Sequence, residues 1–177
     1  MLDPQGRVTR MEKKLEAFAA ECNRILKADS GPKGLEKVRS SLEPLLIDEG
    51  FTSVYLGPEN NEVRKILYED QELGFCILAH VYKGASDAPP HDHGPSWAIY
   101  GQAAGKTEMT EYEKVKGQVD DEPGLASPKK IYTLTPGMAV AYNVGDLHSP
   151  KRDSDTRLIR MEGQNLEGVK RDKYKRA

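Results

Sequence analysis

From about residue 51 onward the chain breaks into seven short stretches, near 61–69, 73–82, 97–104, 106–115, 129–134, 138–142 and 155–163. They are rich in Val, Ile, Tyr and Thr, and many alternate apolar with polar residues. Gly and Pro clusters such as LGPENN, KGASDAPP, DDEPGLASP and TPG set them apart. Many short strands with turn signals between them predict an all-β sandwich or barrel, not alternating βαβ units. The piece from Gly117 to Lys129 is acidic and carries Pro and Gly, which predicts an exposed loop.

The first fifty residues follow another period. Thr9 and Glu12 form a capping-box pattern, in which each side chain satisfies a free backbone N–H at a helix start. Met11, Leu15, Phe18, Ala19, Cys22, Ile25 and Leu26 then recur every three or four residues and share one face. DSGPKG ends that helix. Leu35, Val38 and Leu42 predict a shorter second one, with Pro44 near its end because proline cannot donate inside a helix. The stripe is read as a packing face. The expected organisation is one domain: a helical segment over 1–50, a barrel over 51–165 and a basic tail over 166–177.

Composition excludes several function classes. Lys plus Arg (26) nearly balance Asp plus Glu (28), and a net charge of −2 lacks the basic footprint that nucleic acid requires. No apolar run approaches the roughly 20 residues that span a bilayer, and the start, MLDPQGRVTRMEKK, has no apolar signal core. Two cysteines, Cys22 and Cys76, are too few for a disulfide framework, so the expected compartment is reducing and cytoplasmic. Both are read as small buried hydrophobes. The five basic residues of KRDKYKRA are read as a solvated terminus, with an anion-binding arm the alternative.

Only four histidines occur, and three carry the functional reading. His91 and His93, in PPHDHG, are separated by one residue. On a strand, residues i and i+2 share a face about 6.6–6.8 Å apart, so the two imidazoles can meet one ion. His148, in GDLHSP, would come from a different strand. The glycine framing is specific. Gly84, six residues, His91-Asp92-His93, four residues, Ala98, six residues and Gly105 make the first frame. Gly137, five residues, Asn143, one residue, Gly145, two residues and His148 make the second.

These spacings resemble the paired motifs of the cupin superfamily, which implies a double-stranded β-helix (jelly-roll) barrel and a divalent metal on His91, His93 and His148. The tract from Lys65 through LYEDQELGFCILAHVYKGASDAPPHDH to Gly105, resumed at PGMAVAYNVGDLHS, is more narrowly similar to the cysteine dioxygenase family of thiol dioxygenases, bacterial members especially. That resemblance covers residues 50–163 and a preceding helical pair. It implies Fe(II), O2 and a small anionic chelating substrate, a thiol carboxylate oxidised to its sulfinate. It places the substrate-carboxylate cation at Lys65, with Arg64 beside it.

Departures from the family qualify the expectation. Ala98 stands where many cupins carry a glutamate ligand, and Asn143 and Arg152 replace the proline and asparagine of the second frame. Three neutral histidines leave a divalent ion its full charge, which favours anionic chelating ligands. Leu158, Arg160 and Glu162 stand where the family has Ser, His and Tyr on a late strand. Arg160 and Glu162 are therefore read either as groups of the catalytic pocket, with Arg160 gripping a carboxylate, or as a salt bridge only. Tyr100 and Gln102 continue the inward parity of Ala98 and are candidate pocket donors, with barrel packing the alternative for Tyr100. Tyr142 is a weaker pocket candidate. His80 is assigned to the outer face of its strand, because Ile77, Ala79 and Val81 are taken as the inner parity. Trp97 is assigned a supporting role behind the metal strand.

Two other readings stay open: a three-histidine dioxygenase that cleaves a carbon–carbon bond in a dicarbonyl or enol, and a metal cupin that binds a small acid without turnover. Three imidazoles also accept zinc, nickel or manganese. Whether two copies pair as a homodimer is left open by the sequence.

Overall fold

A computed structural model describes residues 9–177. Most of the start read above for a missing signal core, residues 1–8, lies outside the described residues. Helix α1 (Arg10–Ala28) opens on the expected capping box, with Glu12 N–H donating to Thr9 Oγ1 at 3.3 Å and Thr9 N–H to Glu12 Oε2 at 2.7 Å. Helix α2 (Pro32–Leu46) starts on a proline, whose missing N–H costs nothing at a helix start, and holds Pro44 in its last turn. A third helix, α3 (Glu49–Leu56), begins at Asp48, which accepts from Phe51 N–H at 3.0 Å. No helix among the described residues is long and apolar enough to cross a membrane.

Ten strands follow: β1 (Lys65–Glu69), β2 (Cys76–Tyr82), β3 (Ser86–Asp87), β4 (Ala98–Ala104), β5 (Thr107–Lys116), β6 (Gly124–Leu134), β7 (Ala139–Tyr142), β8 (Leu147–Arg152), β9 (Thr156–Glu162) and β10 (Tyr174–Arg176). One sheet has the order β1-β2-β9-β4-β7 and the other β10-β6-β5-β8-β3. The antiparallel pairs β2–β9, β3–β8, β4–β7 and β5–β6 are nested one inside the next. A ribbon paired this way and rolled into two facing sheets is a jelly roll, the double-stranded β-helix expected from the sequence.

The helices decide which face of the first sheet points inward. Leu15, Phe18, Cys22, Val38, Leu42 and Phe51 form one apolar cluster with Phe75, Ile77, Ala79, Ile99, Ile159 and Met161. The odd-numbered residues of β2, β4 and β9 therefore face the helices. A second cluster, Ala98, Tyr100, Met109, Leu134, Tyr142 and Leu158, fills the barrel between the sheets. Helix α2 lies so close on β4 that a Cβ at Gly101 would sit 2.8 Å from Leu42 Cδ2, so only glycine lets the layers meet.

Four expectations change. His80 has inward parity, since Ile77 and Ala79 face the helices and not the barrel. Residues 124–129, expected in a loop, open strand β6. Residues 147–152, given no element above, form β8 and hold His148. The basic tail is not free: β10 pairs in parallel with β6, and Tyr174 is buried among Tyr112, Ala126 and Leu147.

Candidate metal centre

His91 and His148 are brought together by the backbone. They form a β-bridge in which each N–H donates to the other's carbonyl at 2.9 Å. His93 does not continue a strand. The chain turns there, with Ser96 N–H on the His93 carbonyl at 3.1 Å and Asp92 Oδ1 accepting from Gly94 N–H at 2.9 Å. The glycine takes φ +60°, a conformation that favours its missing Cβ. The three imidazoles thus meet by a bridge and a turn, and their ligand atoms lie within 4.8 Å of one another.

The ring nitrogens have distinct roles. His91 Nδ1 contacts the Pro89 carbonyl at 2.9 Å and His148 Nδ1 the Asp146 carbonyl at 3.0 Å. A carbonyl only accepts, so both Nδ1 atoms carry the proton and both Nε2 atoms keep a lone pair. His93 is held the other way. Arg160 Nη2 donates to His93 Nδ1 at 3.0 Å, which leaves the His93 proton on Nε2, 3.1 Å from His148 Nε2 and 3.0 Å from the Tyr100 hydroxyl. Burial pushes the His91 imidazolium down to about 4, and pushes those of His93 and His148 further below their ordinary range. All three rings are neutral at pH 7, the protonation state a metal requires.

This donor set fits a divalent ion. The 3.1 Å between His93 Nε2 and His148 Nε2 matches the roughly 3 Å edge between neighbouring ligands that each lie about 2.1 Å from a metal. Two of the three rings have the outer-shell carbonyl that metal-binding histidines usually have. No carboxylate joins them: Ala98, fully buried, occupies the position of the common glutamate. Tyr100 reaches the group instead, its hydroxyl also 3.3 Å from His148 Nε2, and burial keeps it protonated by raising its pKa. Tyr142 stacks on His148 with centroids 3.8 Å apart and bonds Tyr132, which donates to Glu111 at 2.9 Å.

Arg160 and Glu162 do point inward and do pair. Glu162 accepts from Arg160 at 2.8 Å and from Arg64 at 3.0 Å. A chain of contacts therefore runs Arg64, Glu162, Arg160, His93. Lys65 is not brought to the histidines. It shares the helix-facing parity of Ala79, its side chain is 44% exposed and pairs with Glu62, and it borders a cavity of about 290 Å³ walled by Thr9, Glu12 and Tyr55. Gln102 is inward, but its amide is spent on the β4–β5 turn, donating to the Ala104 carbonyl at 2.8 Å and accepting from Thr107 at 2.9 Å.

Three neighbours were not assigned to the site from the sequence. Arg171 donates to the Asp92 carbonyl at 3.0 Å and, with Pro89, Pro90, His91, Lys173 and Tyr174, walls a cleft of about 410 Å³ that opens on His91. Arg152 and Tyr82 lie on the inner wall, with the guanidinium 4.1 Å above the ring. Period-two counting from His148 along its own strand would have placed Arg152 inward; nothing local marks Arg171.

No protein-family model matches the chain, and no curated protein matches it. Among solved structures it is similar to KdgF from Halomonas sp., at 18% identity over 56% of this chain and 74% of that one, with a TM-score of 0.42. It is similar to the cupin domain of Schizosaccharomyces pombe Cnp3, at 12% identity over 63% and 73%, with a TM-score of 0.46. It is also similar to the DMSP lyase DddQ from Ruegeria pomeroyi DSS-3, at 16% identity over 65% and 56%, with a TM-score of 0.44. Likeness this partial leaves the fold to rest on the nested strand pairing and the chemistry on the geometry of the site.

Proposed function

We propose that the chain is a mononuclear non-haem Fe(II) dioxygenase that oxidises a small thiol carboxylate to its sulfinate. The charge of the pocket carries this reading: three neutral imidazoles, no carboxylate ligand, and a guanidinium 3.0 Å from one of them. A divalent ion held there keeps its full charge beside a further cation, so the favoured ligand brings two negative ends, a thiolate and a carboxylate.

His91, His93 and His148 would hold the ion. Iron held by these residues would supply Lewis acidity and redox chemistry for a thiolate and O2. The net change is R–S⁻ plus O2 to R–SO2⁻. Both oxygen atoms end on sulfur, which gives up the four electrons that O2 takes, and no outside reductant enters. Arg160 offers the carboxylate a two-pronged donor, and Glu162 fixes that guanidinium from the other side. The Tyr100 hydroxyl, within reach of two imidazoles, is the nearest proton donor of the chain. Leu158, Met109 and Leu134 keep water from the barrel interior.

Oxygen uptake by the iron-loaded protein tests this across thiol carboxylates, thiols without an acid group, and β-diketones. One sulfinate per O2, with the acid-bearing thiols preferred, is expected. Uptake with a diketone alone would replace the reading with carbon–carbon cleavage. Ligands that perturb the iron with no uptake would replace it with binding alone.

A further inference from the structure

Among the described residues, five buried side-chain nitrogen or oxygen atoms have no hydrogen-bond partner, and three of them, Arg152 Nε, Thr156 Oγ1 and Arg160 Nε, surround one side chain, Tyr82. Thr156 is the register partner of Tyr82 across β2–β9, and Arg152 lies over its ring. Arg160 is close enough to Tyr82 for the two to interact. The Tyr82 hydroxyl meets His80 Nδ1 at 2.9 Å, and His80 Nε2 is a fourth of the unpartnered atoms. Buried polar groups are normally satisfied, so a concentration of unmet donors at one place points to a ligand that would meet them.

The charges agree. Arg152 is 5% exposed and is matched by no carboxylate among the described residues. Arg160 has only Glu162, which it shares with Arg64. Glu162 thus serves two of the three guanidiniums, Arg64 reaches Glu167 as well at 4.0 Å, and the one left uncompensated, Arg152, is almost fully buried. An isolated buried charge is costly unless a counter-ion reaches it. Arg152 stands four residues beyond His148 on β8, and Arg160 touches His93, so the arginines lie on the barrel side of the histidine strands.

We propose that Arg152 and Arg160, with Tyr82 and Thr156, form a buried carboxylate-binding subsite that takes the acid end of the substrate. Its link to a substrate rests on the dioxygenase reading; the subsite itself does not. Two forks and two hydroxyls suit a planar carboxylate better than a spherical anion, because guanidinium presents paired N–H groups. The role that the family resemblance assigns to Lys65, which faces the helices, falls in this chain to inward residues of β2, β8 and β9.

The test uses the metal-free full chain without thiol or O2, so it can fail while the dioxygenase reading stands, and the reverse. The melting temperature is followed against propionate and butyrate, with propionamide and butyramide as uncharged controls, at ionic strength held constant with chloride. The acids should raise it saturably and the amides should not. Arg152→Gln should weaken the acid's apparent affinity about tenfold or more. Arg152→Lys keeps the charge without the fork and should weaken it severalfold; it decides the matter if the glutamine variant does not fold. Acids that do no more than chloride, as expected if water alone meets the donors, would overturn the proposal. So would equal acid affinity in the parent chain and a folded Arg152 variant.

Discussion

Changing Glu162 to glutamine removes the negative charge that Arg160 and Arg64 share. The side chain is 1% exposed and accepts from Arg160, itself 13% exposed, and from Arg64, 27% exposed. Removing one partner of a buried pair costs about 3–5 kcal/mol, because the other charge is left uncompensated. The Arg64 half is open to solvent and contributes about 1 kcal/mol or less. Glutamine keeps the shape and one acceptor oxygen, which retains about 1 kcal/mol. A net loss of about 2–5 kcal/mol follows for the metal-free protein. Urea unfolding read by far-ultraviolet circular dichroism measures it. With a slope of about 2 kcal/mol per molar, the midpoint should fall by about 1–2.5 M. Arg160→Gln should cost less in the Glu162→Gln background than alone, since the pair is already broken. A loss below about 0.5 kcal/mol with an unchanged slope would refute the claim that Glu162 compensates buried charge.

Replacing His148 by alanine should abolish stoichiometric metal after dialysis; one ion still tightly held would remove the three-histidine assignment. Burial pushes His80 down to about 3, so the unfolded chain takes up a proton below about pH 6.5 that the folded chain refuses. Stability from this group is complete above pH 6.5 and declines toward pH 3, by up to about 1.4 kcal/mol per pH unit, and His80→Gln should flatten the slope of stability between pH 6 and 4. Equal slopes in the two proteins would sink that attribution. Deleting residues 170–177 removes the Arg171 bond to the Asp92 carbonyl and the Arg176 contacts with Asp87 and Tyr112. Metal affinity, measured by chelator competition, should drop about tenfold because the loop holding His91 and His93 loosens; unchanged affinity would return the tail to the role of a solvated terminus.

The histidines were legible because glycine spacing fixes where strands turn, and the turns fix which imidazoles meet. The wall facing them was less so. In CILAHVY the alternation that marks an inner face is missing, since helices bury one side and the barrel the other, and six of the seven residues are buried. Period two then fixes the two faces without saying which is inside, and His80 went to the wrong one. Arg64 and Lys65 part for another reason. Arg64 lies in the bend just before β1, so the neighbour of the expected anchor, and not the anchor, meets Glu162. Pro128 made its segment resemble a loop, but it sits opposite Tyr112 at a register shift between β5 and β6, where a missing N–H is tolerated. The tail's pairing with β6 is a contact across some fifty residues, and no local composition encodes it.

The protonation of His93 links the metal to the anion. Arg160 can only donate, so His93 Nδ1 must accept and Nε2 must hold the hydrogen. An ion at Nε2 needs a lone pair there, which moves the proton to Nδ1, directly against a guanidinium N–H. Two donors cannot face each other at 3.0 Å, so Arg160 has to turn to another acceptor. Glu162 already takes part of its capacity at 2.8 Å, and an arriving carboxylate would take the rest. Metal and carboxylate should therefore bind with positive coupling, of about 1–3 kcal/mol if it is of ordinary size, and by linkage the factor must be the same in both directions. Zinc affinity by chelator competition with and without saturating propionate gives one direction; propionate affinity by melting, with and without zinc, gives the other. Arg160→Leu should tighten zinc in the absence of acid and abolish the coupling. Coupling that persists in that variant would mean that the acid acts on the ion directly, and the argument from the His93 proton would fall.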